Sequence, residues 1–172
     1  MARYWALFVL MVVVQGCTTV PKGLQPVADF DLKRYLGTWH EIARLDHGFE
    51  RGMSHVTAAY SLRDDGGVKV VNRGYLDQEK EFREAVGRAY FIGEPIVGSL
   101  KVSFFWPFYG GYHIIDLDRD HYEWSVVSGP SKDYLWILAR ERHLDPGLLD
   151  RLVKRLAAQG FATDRLIYVR QD

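Results

Sequence analysis

The sequence predicts an all-β domain, a meander of antiparallel strands that rolls into a barrel or stacks as a sandwich. Three observations carry that expectation. Eight stretches rich in apolar alternation follow one another, each set off by a turn signal. Their connections are short, as consecutive antiparallel neighbours require. Only one stretch shows helical spacing, and it comes after the strands.

The elements fall in order. Thr38–Leu45 is the first strand. Ser54–Leu62 runs into Arg63-Asp-Asp-Gly-Gly67, a hairpin turn with the glycines that a positive φ calls for. Val68–Leu76 and Glu81–Ile92 follow, and Gly93-Glu-Pro95 ends the latter. Leu100–Phe105, Tyr109–Leu117, Tyr122–Val127 and Tyr134–Ala139 complete the set. Asp145 then caps a helix with Pro146 in its first turn and Gly160 past its end. Leu149, Leu152, Val153 and Leu156 make one apolar stripe, and Asp150, Arg151, Lys154 and Arg155 lie opposite. This helix should lie on the outer wall of the sheet. A last strand, Arg165–Val169, closes the pattern.

Composition excludes some partners. The 172 residues suffice for one domain with a full core, and 22 basic residues balance 22 acidic ones. A nucleic-acid partner would want a basic field, so none is expected. The single cysteine, Cys17, cannot form an internal disulfide.

The beginning of the chain reads as a leader. One positive charge precedes Trp5–Val14, an apolar run too short for a bilayer, which takes about 20 residues. It ends in Val14-Gln15-Gly16-Cys17, which resembles the lipobox of bacterial lipoproteins. That resemblance implies removal of residues 1–16 and lipid attachment at Cys17. Thr18, where an aspartate would resemble an inner-membrane retention signal, points to the outer membrane and its periplasmic face. Residues 17–28, with Pro21, Gly23 and Pro26, read as a lipidated tether. Residues 29–172 form the domain.

Two further stretches carry a resemblance. Asp29-Phe-Asp-Leu-Lys-Arg-Tyr35-Leu-Gly37-Thr-Trp39-His-Glu41 is similar to the first motif of the lipocalin family, and Asp133-Tyr-Leu-Trp136-Ile-Leu-Ala-Arg140 to the strand that ends in its lone arginine. The family's second motif is matched only by Asp118. The resemblance spans the whole domain and is nearest to bacterial outer-membrane lipocalins and apolipoprotein D. It implies an eight-stranded up-and-down β-barrel with the helix packed outside. It also implies that Gly37, Trp39 and Arg140 close one end, with the guanidinium laid on the indole.

Strand alternation then proposes the cavity. Leu100, Val102 and Phe104 share a face. Tyr112 and Ile114 are the candidate inner pair of the sixth strand, against His113 and Ile115. Trp136 shares a face with Arg140, and parity from Trp39 puts Glu41, Ala43 and Leu45 inside. A carboxylate there is costly unless bonded or neutral, so Glu41 is either held by interior tyrosines or an arginine, or turned out by a bulge. Between the fifth and sixth strands, Trp106, Phe108 and Tyr109 form an apolar lip at the open mouth. Such a lip marks a ligand entrance, a membrane contact or a homodimer interface, unless the hairpin folds onto its own core.

Signatures of chemistry are missing. There is no Gly-x-Ser-x-Gly, no phosphate loop and no His-Glu-x-x-His. Asp116, Asp118 and Asp120 imitate a calcium loop, but His121 stands where glycine is needed. No metal or cofactor is expected. Enzymatic lipocalins use a cavity cysteine, and Cys17 lies outside the barrel. The expected function is therefore binding and carrying a fatty acid, lysophospholipid or related lipid. The alternatives are a structural envelope lipoprotein with a filled barrel, or a lipid-modifying enzyme that uses Glu41 and tyrosines.

Overall fold

The computed structural model describes residues 18–172. Among them the chain forms β1 (Gly37–Arg44), β2 (Met53–Leu62), β3 (Val68–Leu76), β4 (Glu81–Phe91), β5 (Ser99–Phe105), β6 (Phe108–Leu117), β7 (Trp124–Ser128), β8 (Leu135–Ala139) and β9 (Ile167–Tyr168). Each of the first eight pairs antiparallel with its neighbour, and β1 pairs with both β8 and β2. The meander therefore closes into a barrel, with β9 added beside β1.

Most strand ends lie within a residue of the sequence expectation, and two starts differ. β7 begins at Trp124 because Asp118 organises the preceding turn. Its carboxylate accepts the backbone N–H groups of Asp120, His121 and Glu123, and Tyr122 takes a φ of 57°. β9 is short because Thr163–Arg165 winds into a 3₁₀ turn just before it. Alternation also gave no sign of α1 (Leu32–Tyr35), a single turn capped by Asp31, whose side chain accepts from Lys33 N at 2.9 Å.

The barrel wall separates two apolar cores. One fills the closed end and lines the interior, around Tyr35, Trp39, Tyr60, Ile114, Leu117 and Leu138. The other lies outside, between β1, β7 and β8 and α2 (Pro146–Ala158), whose Leu152 and Leu156 meet Ile42, Leu135 and Ile137. Asp145 caps that helix as expected, accepting from Leu148 N at 2.8 Å.

A bulge in β1 divides its side chains between the two cores. Glu41 faces Leu138 across the ladder and Ala43 faces Ile137, so Ile42 is extra. One extra residue reverses the inside–outside parity beyond it. Ala43 and Leu45, expected inside, therefore pack in the outer core, and Arg44 turns inward instead. β6 carries a similar shift at Ile115.

The segment before α1 runs on the barrel itself. Val27 N donates to Ile114 O and Val27 O accepts from Gly98 N, both at 2.8 Å, and Leu24 is buried in the outer core. His113, fully buried, receives Ser99 Oγ on Nδ1 at 2.9 Å and donates from Nε2 to Thr19 O at 3.1 Å. The residues from Thr19 onward, read from composition as part of a tether, are thus docked against the wall.

The seam between β1 and β2 is closed by the C-terminal stretch. Their pairing spans only Gly37↔Tyr60 to His40↔Thr57, after which the strands diverge. β9 fills the gap, with Val169 N donating to Ile42 O and His55 N to Arg170 O. Gln171 spans it, its amide donating to Glu41 O at 2.8 Å and Val56 O at 2.9 Å. Gln171→Ala should leave both carbonyls unpaired and lower the unfolding free energy by about 2 kcal/mol. Chemical denaturation with an unchanged midpoint would remove this bridging role.

Candidate functional site

The closed end is sealed by stacked aromatic groups. Trp39 is inaccessible to solvent, donates from Nε1 to Tyr35 O at 2.8 Å, and has the Arg140 guanidinium 3.9 Å from its ring centroid. Arg140 also donates to the carbonyls of Arg34 and Thr38, tying α1 to β1. Gly37 has a φ of 95°, and a Cβ there would lie 3.3 Å from Arg140 Nη1, so glycine serves both backbone and guanidinium.

Above this plug, three phenols make the floor of a cavity. Tyr112 Oη lies 2.8 Å from both Tyr35 Oη and Tyr60 Oη, and Tyr35 reaches Ser125 Oγ at 3.2 Å. Burial pushes Tyr35 up to about 12 and holds Tyr60 and Tyr112 well above the usual range, so all three are neutral. The space enclosed above them is about 100 Å³, several times the ~10–15 Å³ that one water centre requires. Its lining is mainly apolar, from Val56, Val68, Val70, Leu100, Val102 and Phe104 among others.

One stretch of wall is polar. Glu41 and Glu50 both line the cavity and are almost wholly buried. Arg44 Nη1 donates to Glu41 Oε1 at 2.6 Å, and its Nη2 donates to Glu50 O at 2.8 Å. Trp136 Nε1 donates to Glu50 Oε2 at 3.1 Å. Burial pushes Glu41 well above the carboxylate range; the Glu50 charge adds to this and Arg44 opposes it. Burial raises Glu50 too. Burial thus disfavours charge on both carboxyls, and the Arg44 guanidinium, bonded to the Glu41 carboxyl and the Glu50 carbonyl, opposes it.

His47 adds a neutral neighbour. Burial, then Arg44, pushes its imidazole down to about 4. Its Nε2 lies 3.1 Å from Glu50 Oε2 without an aligned hydrogen bond, as befits an uncharged ring. The ring is instead stacked on Phe49 at 4.1 Å and tilted against Trp136 at 5.0 Å.

The mouth is apolar. Phe49 lines the cavity yet is 58 % exposed, so it stands at the entrance. At the β5–β6 turn, Phe105, Trp106 and Phe108 are 81, 71 and 77 % exposed.

The sequence-derived residues thus separate. Glu41, Leu100, Val102, Phe104, Tyr112 and Trp136 are brought together on the cavity. Ile114 points inward but is packed at the base, outside the lining. Ala43 and Leu45 belong to the other side of the wall, for the parity reason above. Trp106 and Phe108 project at the mouth, whereas Tyr109 lies beneath Lys101, whose Nζ is 5.1 Å from its ring centroid. Sequence reasoning missed Arg44, Glu50, Phe105 and Gln171. The adjacent apolar pair Ile42–Ala43 followed by Arg44 was the available sign of a parity change. Cys17 and the leader lie outside the described residues. Among the described residues, no group of three His, Cys, Asp or Glu is placed to hold a metal ion.

A single antiparallel barrel, plugged by Trp39 and Arg140 at one end and hollow at the other, defines a cup-shaped β-barrel protein. The chain belongs to the lipocalin family: residues 30–171 match the lipocalin-like domain. It is 49 % identical over 169 residues to the outer membrane lipoprotein Blc of Vibrio cholerae, covering 97 % of this chain and 99 % of that protein. The Blc protein of Escherichia coli K12 is 48 % identical over 161 residues, 94 % of this chain and 90 % of that one. Apolipoprotein D of Macaca fascicularis is 29 % identical over 84 % of this chain and 78 % of its own. Insecticyanin of Manduca sexta, at 18 % identity, superposes with a TM-score of 0.68 over 88 % of this chain and 86 % of that one, a likeness of fold.

Two outcomes follow from the buried charges. Arg44→Leu leaves the carboxyl pair without its counter-charge and should cost about 3 kcal/mol of stability in a denaturant titration. His47 has a folded value below its ordinary 6.5, so protons favour the unfolded chain. Its contribution is complete above pH 6.5 and is lost as pH falls toward 4, by up to about 3 kcal/mol. The two glutamates, with raised values, act in the opposite sense. Comparing His47→Phe with the parent across that interval isolates the histidine, and parallel stability curves would contradict its burial as a neutral ring.

Proposed function

We propose that the chain is a lipid-anchored carrier that holds a fatty acid, lysophospholipid or related lipid in the barrel, on the periplasmic side of a bacterial outer membrane. The observation that carries this reading is the unfilled, mainly apolar cavity leading past Phe49 to the mouth. A structural lipoprotein with a packed barrel has no need of that space. The similarity to the outer membrane lipoproteins of Vibrio and Escherichia supports the membrane assignment, with Cys17 as the attachment point.

The physical driving force is desolvation. An alkyl chain entering the barrel gains roughly 25 cal/mol for each Å² of apolar surface removed from water. Ordering the chain and its side-chain contacts offsets part of this. Phe105, Trp106 and Phe108 would meet either the bilayer from which the lipid is taken or a second copy of the barrel.

We assign no catalytic step and no cofactor. The phenols on the cavity floor bond one another and Glu41 is bonded by Arg44, and none of these groups is a nucleophile paired with a base.

A chain beginning at Thr18 contains every described element and is the form to test. Stripped of lipid, it should bind a fluorescent fatty acid saturably, at one site per barrel or per dimer, with displacement by unlabelled fatty acid or lysophospholipid. Trp136→Ala removes an aromatic wall and the donor to Glu50, and should weaken binding by about tenfold. A folded protein that shows no saturable binding would return the filled-barrel alternative to first place.

A further inference from the structure

The polar wall of the cavity is rich in acceptors and has no free cation. Glu41 and Glu50 present carboxyl oxygens, and Asn72 adds a buried Oδ1 with no hydrogen-bond partner. Asn72 faces Ala58 on β2 and Ala85 on β4, so its neighbours are methyl groups that cannot bond it. The guanidinium nearby, Arg44, has Nη1 on Glu41 and Nη2 on the carbonyls of Glu50 and Met53, and its unpartnered Nε is buried off the cavity lining. On the floor, four hydroxyls joined by three hydrogen bonds keep a single spare hydrogen between them.

A buried carboxylate would therefore meet other oxygens, lose its water and find no counter-charge. A hydroxyl, amide or ammonium group would instead supply a hydrogen to the unpartnered Asn72 Oδ1 and to the Glu50 carboxyl oxygens. Position favours such a contact. Glu50 lies in the β1–β2 connection next to Phe49 at the entrance, while Glu41 lies on β1 two residues beyond the Trp39 plug. The acceptors thus run along the depth of the cavity, beside the path of any chain inserted through the mouth.

We propose that Glu41, Glu50 and Asn72 form an acceptor subsite that selects amphipathic ligands carrying a hydrogen-bond donor, neutral or cationic, over those that would bury a carboxylate. The subsite rests on the carrier reading and narrows its ligand class. Glu41 is a constrained member, because Arg44 holds it. Glu50 and Asn72 are the members free to discriminate.

The test uses the full chain held in amphipol, with the neutral probe N-phenyl-1-naphthylamine in the barrel. Dodecanol, dodecylamine and laurate, which share one chain length, compete for it at pH 7.5. Dodecanol and dodecylamine should displace the probe at about tenfold lower concentration than laurate, the scale of one hydrogen bond to a charged group. Glu50→Gln and Asn72→Leu should each bring that ratio toward unity. Near-ultraviolet circular dichroism checks that each variant is folded. Asn72→Leu removes no charge, so it keeps the test decisive if Glu50→Gln fails to fold. Laurate competing as well as dodecanol against the parent protein, or a ratio unchanged in both variants, would overturn the subsite and leave the carrier standing. Failure of the probe and all three competitors to bind would overturn both.

Discussion

The extra residue in β1 at Ile42 is the constraint on which much of the molecule depends. Below it, Trp39 and Glu41 face the interior; above it, Ala43 and Leu45 face α2 while Arg44 turns in. A single strand thereby serves two cores and also delivers a guanidinium to a carboxyl three residues earlier. Without the bulge, regular alternation would send Arg44 into the apolar layer under the helix. The same irregularity accompanies the divergence of β1 from β2, which makes room for β9 and for Gln171.

Closure and hollowness come from different residues. The Trp39–Arg140 stack seals the base and is braced by carbonyl contacts to α1 and β1. Higher up, small and aliphatic side chains leave space, and the polar cluster there leaves Asn72 Oδ1, Arg44 Nε and the His47 ring without hydrogen-bond partners. An interior that keeps acceptors without partners is a costly way to fill a barrel and a reasonable way to receive a guest.

The strands were legible because each wall residue obeys a local rule, and the period of two survives over most of β3, β4 and β8. The helix was legible from Asp145, Pro146 and its leucine stripe. The pairing of Trp39 with Arg140 was not: 101 positions separate them, and only likeness to a family joins them in advance. Bulges escaped for a physical reason. An inserted residue costs little locally, yet it shifts the parity of everything after it, so Ala43 and Leu45 were placed on the wrong face. Glu50 and Gln171 escaped because each acts from irregular chain, where no periodicity says which way a side chain points. Phe105 was overlooked because alternation assigned the wall to its neighbour Phe104.

The Gln171 bridge also bears on the order in which the molecule assembles. Its two acceptors, on residues 41 and 56, precede it by 130 and 115 positions. As the chain is made from its N-terminus, the early strands emerge first and must wait for that amide. Until it arrives, β1 and β2 hold each other by a short ladder alone, and the upper barrel has an open edge. Such distant closure is a late and slow event in folding, because the intervening chain must first be ordered. A growing chain is therefore exposed along this line, where a chaperone or another strand would find unpaired backbone.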